Sequence, residues 1–154
     1  MLGNQLRELV TSIVATAAKL KNDFTDEKQA PVNYACIFAQ SENEFQSFTK
    51  VVEGLGQIVH RTASGLVYFI NGLETTSGIL RILKILMPDP GRPERGDADF
   101  TVRDYKLFKA AHLKRPGFKL IERPNMEIIE LMQAGYDVRA YFSDPPLIKV
   151  LGIE

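Results

Sequence analysis

"RPERGDADFTV", residues 92–102, decides how this chain divides. Two arginines, a glycine and two alternating aspartates run into apolar and β-branched residues, the pattern of a polar connection followed by a strand. Strand alternation sets Asp97, Asp99 and Thr101 on one face and Ala98, Phe100 and Val102 on the other, which should pack on helices. Asp104 then stands in position to cap "YKLFKAAHLK" (105–114), a helix stopped by Pro116 and Gly117. Three strands follow: "FKLIER" (118–123), "MEIIELM" (126–132) and "DVRAYF" (137–142), with turns at Pro124-Asn125 and near Gly135. From the quoted stretch onward the order is βαβββ.

The same order stands upstream. "VNYACIFA" (32–39) is β-branched and aromatic. Ser41 and Glu44 have the capping-box spacing that opens a helix, which closes on Gly54 and Gly56. "QIVHRT" (57–62), "LVYFIN" (66–71) and "ILRILKILM" (79–87) complete a second βαβββ, with a Gly/Thr/Ser-rich loop expected between the last two. Laying Phe45 on Phe108, a shift of 63 positions, sets Ser41 on the cap Asp104 and Tyr34 on Asp97. Ahead of both units, Leu6, Leu9, Val10, Ile13, Val14, Ala17 and Leu20 recur at steps of three and four, one apolar stripe on an N-terminal helix. The expected division is a helix and linker (1–30), a first module (31–88), a second module (89–142) and a C-terminal tail (143–154).

Composition bounds the partners. The 154 residues, 45% hydrophobic and 25% charged, make a single domain with a real core. Lys plus Arg equals Asp plus Glu at 19 each, so no global field draws the chain to nucleic acid or to an anionic membrane. Arg7, Glu8 and Lys19 interrupt the N-terminal apolar residues, against an export signal, and no apolar run reaches the roughly 18 residues of a bilayer span. A single cysteine, Cys36, excludes an internal disulfide and suits a reducing compartment, so the expected location is cytoplasmic.

Paired βαβββ units resemble the vicinal oxygen chelate superfamily, the glyoxalase and dioxygenase-like proteins. An N-terminal helix followed by "NYACIFAQSENEF", "LRILKILMPDPGRPERGDADFTV" and a final short strand is similar to the uncharacterised YecM-type branch of that superfamily. The resemblance implies an α+β fold in which two modules form a curved mixed sheet around a concave cavity. It also implies where a metal would sit, since metal-using members carry His or Glu on the first strand of each module and Glu on the last. Here Tyr34 and Asp97 hold the first-strand positions, Leu86 stands at the first-module carboxylate, and Arg139 or Tyr141 lies near the final one. One carboxylate does not converge enough ligands on a divalent ion, so neither metal nor other cofactor is expected. His60, on a strand, and His112, in a helix's last turn where it meets the negative dipole end, fall outside that pattern.

On the repeat, Tyr34, Cys36 and Phe38 share the cavity face with Asp97 and Asp99. Parity adds Ile82, Lys84 and Leu86, and leaves Arg139 and Tyr141 inward while Val138, Ala140 and Phe142 join the core. The candidate ligand-binding set is therefore Tyr34, Lys84, Asp97, Asp99, Arg139 and Tyr141. These groups suit a small polar molecule, or acid–base work by an Asp–Lys or Asp–Tyr pair. The plainer alternative is a wet sheet face on which cross-strand Asp–Arg and Asp–Lys pairs neutralise each other. In "MPDPGRPERG" (87–96), Arg92 and Arg95 are candidates for anion binding, or partners for nearby carboxylates. Cys36, inside an apolar strand, reads as an inert core thiol, and Glu122, Glu127 and Glu130 as solvated charges flanking a turn. The tail "SDPPLIKVLGIE" is too apolar to hang free: it covers the domain's own core, against the first helix, or docks on a second subunit, and the superfamily resemblance implies a homodimer.

Three functions stay open: a metal-free small-molecule-binding protein; a lyase, isomerase or dioxygenase whose metal ligands include Asp97 or Asp99; and a non-catalytic interaction module.

Overall fold

The two first strands of the repeats lie antiparallel, side by side, at the centre of one eight-stranded sheet in the computed structural model, which describes residues 2–153. After an N-terminal helix α1 (Leu2–Phe24), the first repeat comprises β1 (Val32–Phe38), α2 (Glu42–Glu53), β2 (Gly56–Thr62), β3 (Gly65–Thr75) and β4 (Gly78–Leu86). The second comprises β5 (Gly96–Phe100), α3 (Tyr105–His112), β6 (Phe118–Arg123), β7 (Met126–Leu131) and β8 (Val138–Asp144), and a short helix α4 (Leu147–Val150) follows. The strand order is β2-β3-β4-β1-β5-β8-β7-β6, parallel where β4 meets β1 and where β8 meets β5, antiparallel elsewhere.

Ala35 pairs with Ala98 across β1 and β5, and these are the residues that the 63-position shift superposes. An approximate two-fold axis therefore passes between them. The mixed α+β sheet of two modules is the architecture expected from the repeat.

On one side of the sheet, α1 lies across β1, β5 and β8. Its stripe of Leu6, Val10, Ile13, Val14, Ala17 and Leu20 is 0–2% exposed and joins Ala35, Ile37, Ala98, Phe100, Ala140 and Phe142 in the core. Each such aliphatic side chain contributes about 1.5–3 kcal/mol on full burial. The alanines keep the central strands low, and Gly96 takes this to its limit. A Cβ there would sit 2.3 Å from the Cys36 carbonyl oxygen and 2.8 Å from Ile13 Cδ1, so no other residue fits at the start of β5 without moving strand or helix.

Both caps read from the sequence are present. The Ser41 hydroxyl accepts the Glu44 amide at 3.1 Å, and Asp104 Oδ1 accepts the Leu107 amide at 3.1 Å. The Glu44 carboxylate turns to the Gln40 amide, 2.8 Å, instead of closing a capping box on Ser41. Ser41→Ala is expected to lower stability by about 1 kcal/mol, visible as a fall of roughly 2–4 °C in melting temperature. An unchanged melting temperature would mean that water replaces the cap.

Two expectations need correction. The Gly/Thr/Ser segment after residue 71 is not a loop: β3 runs on to Thr75, and the Thr75 hydroxyl ties a tight turn to the Gly78 carbonyl (2.7 Å) and the Ser77 amide (3.0 Å). The tail does not lie against α1. β8 continues to Asp144, and α4 then turns over the opposite, concave face, where Leu147, Val150 and Leu151 line the cavity. Among the described residues no helix is long and apolar enough to cross a membrane.

Candidate functional site

The concave face holds a cavity of about 870 Å³. Its floor follows from strand register. Lys84, Cys36, Asp97 and Arg139 lie in one row across β4, β1, β5 and β8, and Tyr34, Asp99, Tyr141 and Glu130 lie in the next across β1, β5, β8 and β7. Phe38 and Leu86 add an apolar patch. The β6–β7 turn at Arg123–Met126, His60 on β2 and the α4 residues complete the rim.

Of the six candidate ligand-binding residues, Tyr34, Lys84, Asp97, Asp99 and Tyr141 line this cavity, together with Arg92. Asp97 is 3% exposed, and its Oδ1 has no hydrogen-bond partner. Burial, reinforced by the neighbouring Asp99, raises its carboxyl to about 8 against the cationic pull of Arg92, Lys84 and Arg139. Asp99 is held differently: it accepts the Ser143 amide at 3.1 Å, the Ser143 hydroxyl, and the Asn33 amide group at 3.2 Å. Burial lifts Asp99 to about 6, and those donors keep it below Asp97. Asn33 reaches it because β1 is irregular between Val32 and Tyr34.

Lys84 donates to the Ser64 hydroxyl at 2.9 Å, and desolvation lowers its pKa. Arg92 lies over the Phe38 ring, 5.5 Å from its centroid, and donates to the Tyr141 hydroxyl at 2.8 Å, while Tyr141 donates to Glu130 at 3.0 Å. Burial drives the Tyr34 hydroxyl and the Cys36 thiol well up, so neither is an anion near neutrality and the thiol is a poor nucleophile.

Arg139 and Arg95 are placed otherwise. Although Asp97 is its register neighbour, Arg139 turns to Glu94 (Nε, 3.0 Å), Glu130 (Nη1, 3.2 Å) and the Gly91 carbonyl (Nη2, 2.8 Å), a strut beside the cavity and not part of its lining. Glu130, expected to be solvated, is 6% exposed and serves as that strut's anchor. Arg95 grips both Glu44 oxygens at 2.7 and 2.9 Å, joining α2 to β5, which leaves no fork for an external anion. His112 is buried, its Nδ1 3.0 Å from the Phe108 carbonyl and its ring stacked on Phe108 at 4.4 Å.

The metal site that the superfamily resemblance implies does not fit these residues. Its four positions carry Tyr34, Asp97, Leu86 and Tyr141 or Arg139. Among the described residues no three His, Cys, Asp or Glu side chains cluster as ligands, and Lys84 and Arg92 bring cations into the same space.

No family model and no curated protein matches the sequence. Among solved structures, a chain described as "Structural Genomics, Protein EC4020" is similar with a TM-score of 0.74 at 9% identity, over 98% of this chain and 92% of that one. The two share a fold. A glyoxalase/bleomycin resistance protein/dioxygenase superfamily member from Vibrio splendidus 12B01 is similar at a TM-score of 0.48 and 12% identity, over 74% of this chain and 97% of that one. Glyoxalase I from Zea mays matches at 0.44 and 15%, over 73% of this chain and 42% of that one.

Proposed function

We propose that this chain is a small-molecule-binding protein of the vicinal oxygen chelate superfamily, in its YecM-type branch, that holds its ligand in the concave cavity without a metal ion. The carrying observation is Asp97, a buried carboxyl whose Oδ1 is unpartnered on the floor of a cavity large enough for a drug-sized molecule. Leaving such a polar atom unpaired costs about 1–3 kcal/mol, and since Oδ1 is closed to solvent, a ligand hydroxyl, amide or carbonyl group makes that deficit good by drawing the carboxyl round toward the cavity. The N-terminal helix packed behind two βαβββ modules supports the branch.

The test is thermal melting after chelator treatment, with Zn²⁺, Mn²⁺, Ni²⁺ or Fe²⁺ added, on the wild type and on Asp97→Ala/Asp99→Ala. No rise is expected with any ion. A metal-dependent rise that the double variant loses would replace this reading with the metalloenzyme one, because an ion bound by the native state stabilises it through linkage. One observation favours a second reading, proton-transfer catalysis: a carboxyl titrating at about 8 exchanges protons near neutral pH.

A further inference from the structure

The better-covered cations beside the sheet differ in what satisfies them. Arg139, Arg95 and Lys109 each hold a carboxylate at 3.2 Å or less. Lys84 forms no ion pair among the described residues, and Arg92 approaches only the half-exposed Asp89, at 3.9 Å. These two project into the cavity, and each keeps donors beyond its single bond to a hydroxyl, Ser64 for Lys84 and Tyr141 for Arg92. The neighbouring carboxyls compensate them only in part: Asp99, at about 6 and stabilised as an anion by Ser143 and Asn33, carries a negative charge at neutral pH, while Asp97, raised to about 8 by burial, stays largely protonated. Two incompletely paired cations against one hydrogen-bonded carboxylate and one neutral carboxyl leave a small positive excess on the cavity floor, although the chain as a whole has zero formal charge.

Spacing adds the shape of the occupant. Lys84 and Asp97 stand in one row with Cys36 between them, two strand spacings or roughly 10 Å apart at the backbone. The surface beside them, from Cys36, Phe38 and Leu86, is apolar. We propose that the ligand is a small organic anion, its carboxylate or phosphate bound by Lys84 and Arg92 and a second polar group, across a short apolar segment, bound by Asp97. This rests on the reading of the cavity as a ligand site and gives that site a charge preference.

Calorimetry on the wild type with matched probes tests it: 4-hydroxyphenylacetate against 4-hydroxyphenylacetamide and tyramine, 3-hydroxypropionate against its amide, and phenyl phosphate against phenol, with inorganic phosphate alone as control. The anions are expected to bind at least tenfold more tightly than their neutral or cationic counterparts. Lys84→Met and Arg92→Met are each expected to remove about tenfold, and a carboxylate-over-phosphate order, or the reverse, identifies the head group. Discrimination within the wild type does not depend on any variant folding. If neutral or cationic members bind as well as the anions and Asp97→Ala abolishes their binding, the charge preference falls and the cavity reading stands. If no member of any charge binds, both fall.

Discussion

Wild-type stability is expected to fall as pH rises from about 5 to 8.5, and Asp97→Asn is expected to remove most of that fall. Asp97 moves from its ordinary 3.8 to about 8 on folding, and Asp99 from 3.8 to about 6. Between the unfolded and folded values the native state holds the proton and the unfolded state does not, so stability is fully present below about pH 4 and drains away as pH climbs through the folded value. At ~1.4 kcal/mol per pH unit, the Asp97 interval from 3.8 to about 8 amounts to roughly 6 kcal/mol as a ceiling, and water entering the cavity will reduce it. Glu44, where burial pushes up but Arg95 and the Gln40 amide together outweigh it, and Glu127 and Asp23, held low chiefly by hydrogen bonds from Lys109 and Tyr105 and from Lys19 and Tyr136, act in the opposite sense, but below about pH 4.5. Chemical denaturation of both proteins at half-unit pH steps isolates Asp97 as the difference between two curves. Parallel curves would mean that Asp97 ionises freely in the native state. An anion in the cavity should carry the wild-type fall to higher pH, since it holds the Asp97 proton more firmly.

Much of the fold was legible because two periodicities and two caps repeat. Ser41 and Asp104 are both oxygen-bearing caps that the 63-position shift superposes, and Ala35 and Ala98, superposed by the same shift, prove to be mutual partners on the two-fold axis. Alternation along a strand depends only on the pleat, so the cavity placement of Tyr34, Lys84, Asp97, Asp99 and Tyr141 could be read without knowing which strands are neighbours.

What alternation does not fix is where a long side chain ends. Arg139 starts on the correct face and in register with Asp97, yet its guanidinium spans to Glu94 and Glu130, on a loop and a strand whose proximity is set by sheet order. Asn33 illustrates the opposite failure, since strict parity turns it away from Asp99 and a local irregularity brings it back. The tail's apolar residues announced that they would be covered but not by which face, and they end half-buried over the concave side, because α1 and the concave cavity both offered apolar surface.

Arg139→Met is accordingly expected to damage stability and not ligand affinity. Glu130, its side chain 8% exposed, would keep only the Tyr141 hydroxyl as a donor, and Glu94 would lose its cation. Breaking a buried pair by removing one partner costs about 3–5 kcal/mol, mostly the penalty of an uncompensated charge, which corresponds to roughly 10 °C in melting temperature for a chain of this size. Adding Glu130→Gln should recover much of the loss, because the neutral amide still accepts from Tyr141 and no longer needs a cation. The folded fraction of Arg139→Met should bind the anionic probes within about threefold of wild type, whereas Lys84→Met should leave the melting temperature within about 2 °C and lose the affinity. The two residues sit on the same face of the same sheet, and what separates them is whether a carboxylate of the chain already occupies the guanidinium or ammonium. An Arg139 variant that melts like wild type but binds poorly would show that the strut opens to admit the ligand, and would return Arg139 to the binding set.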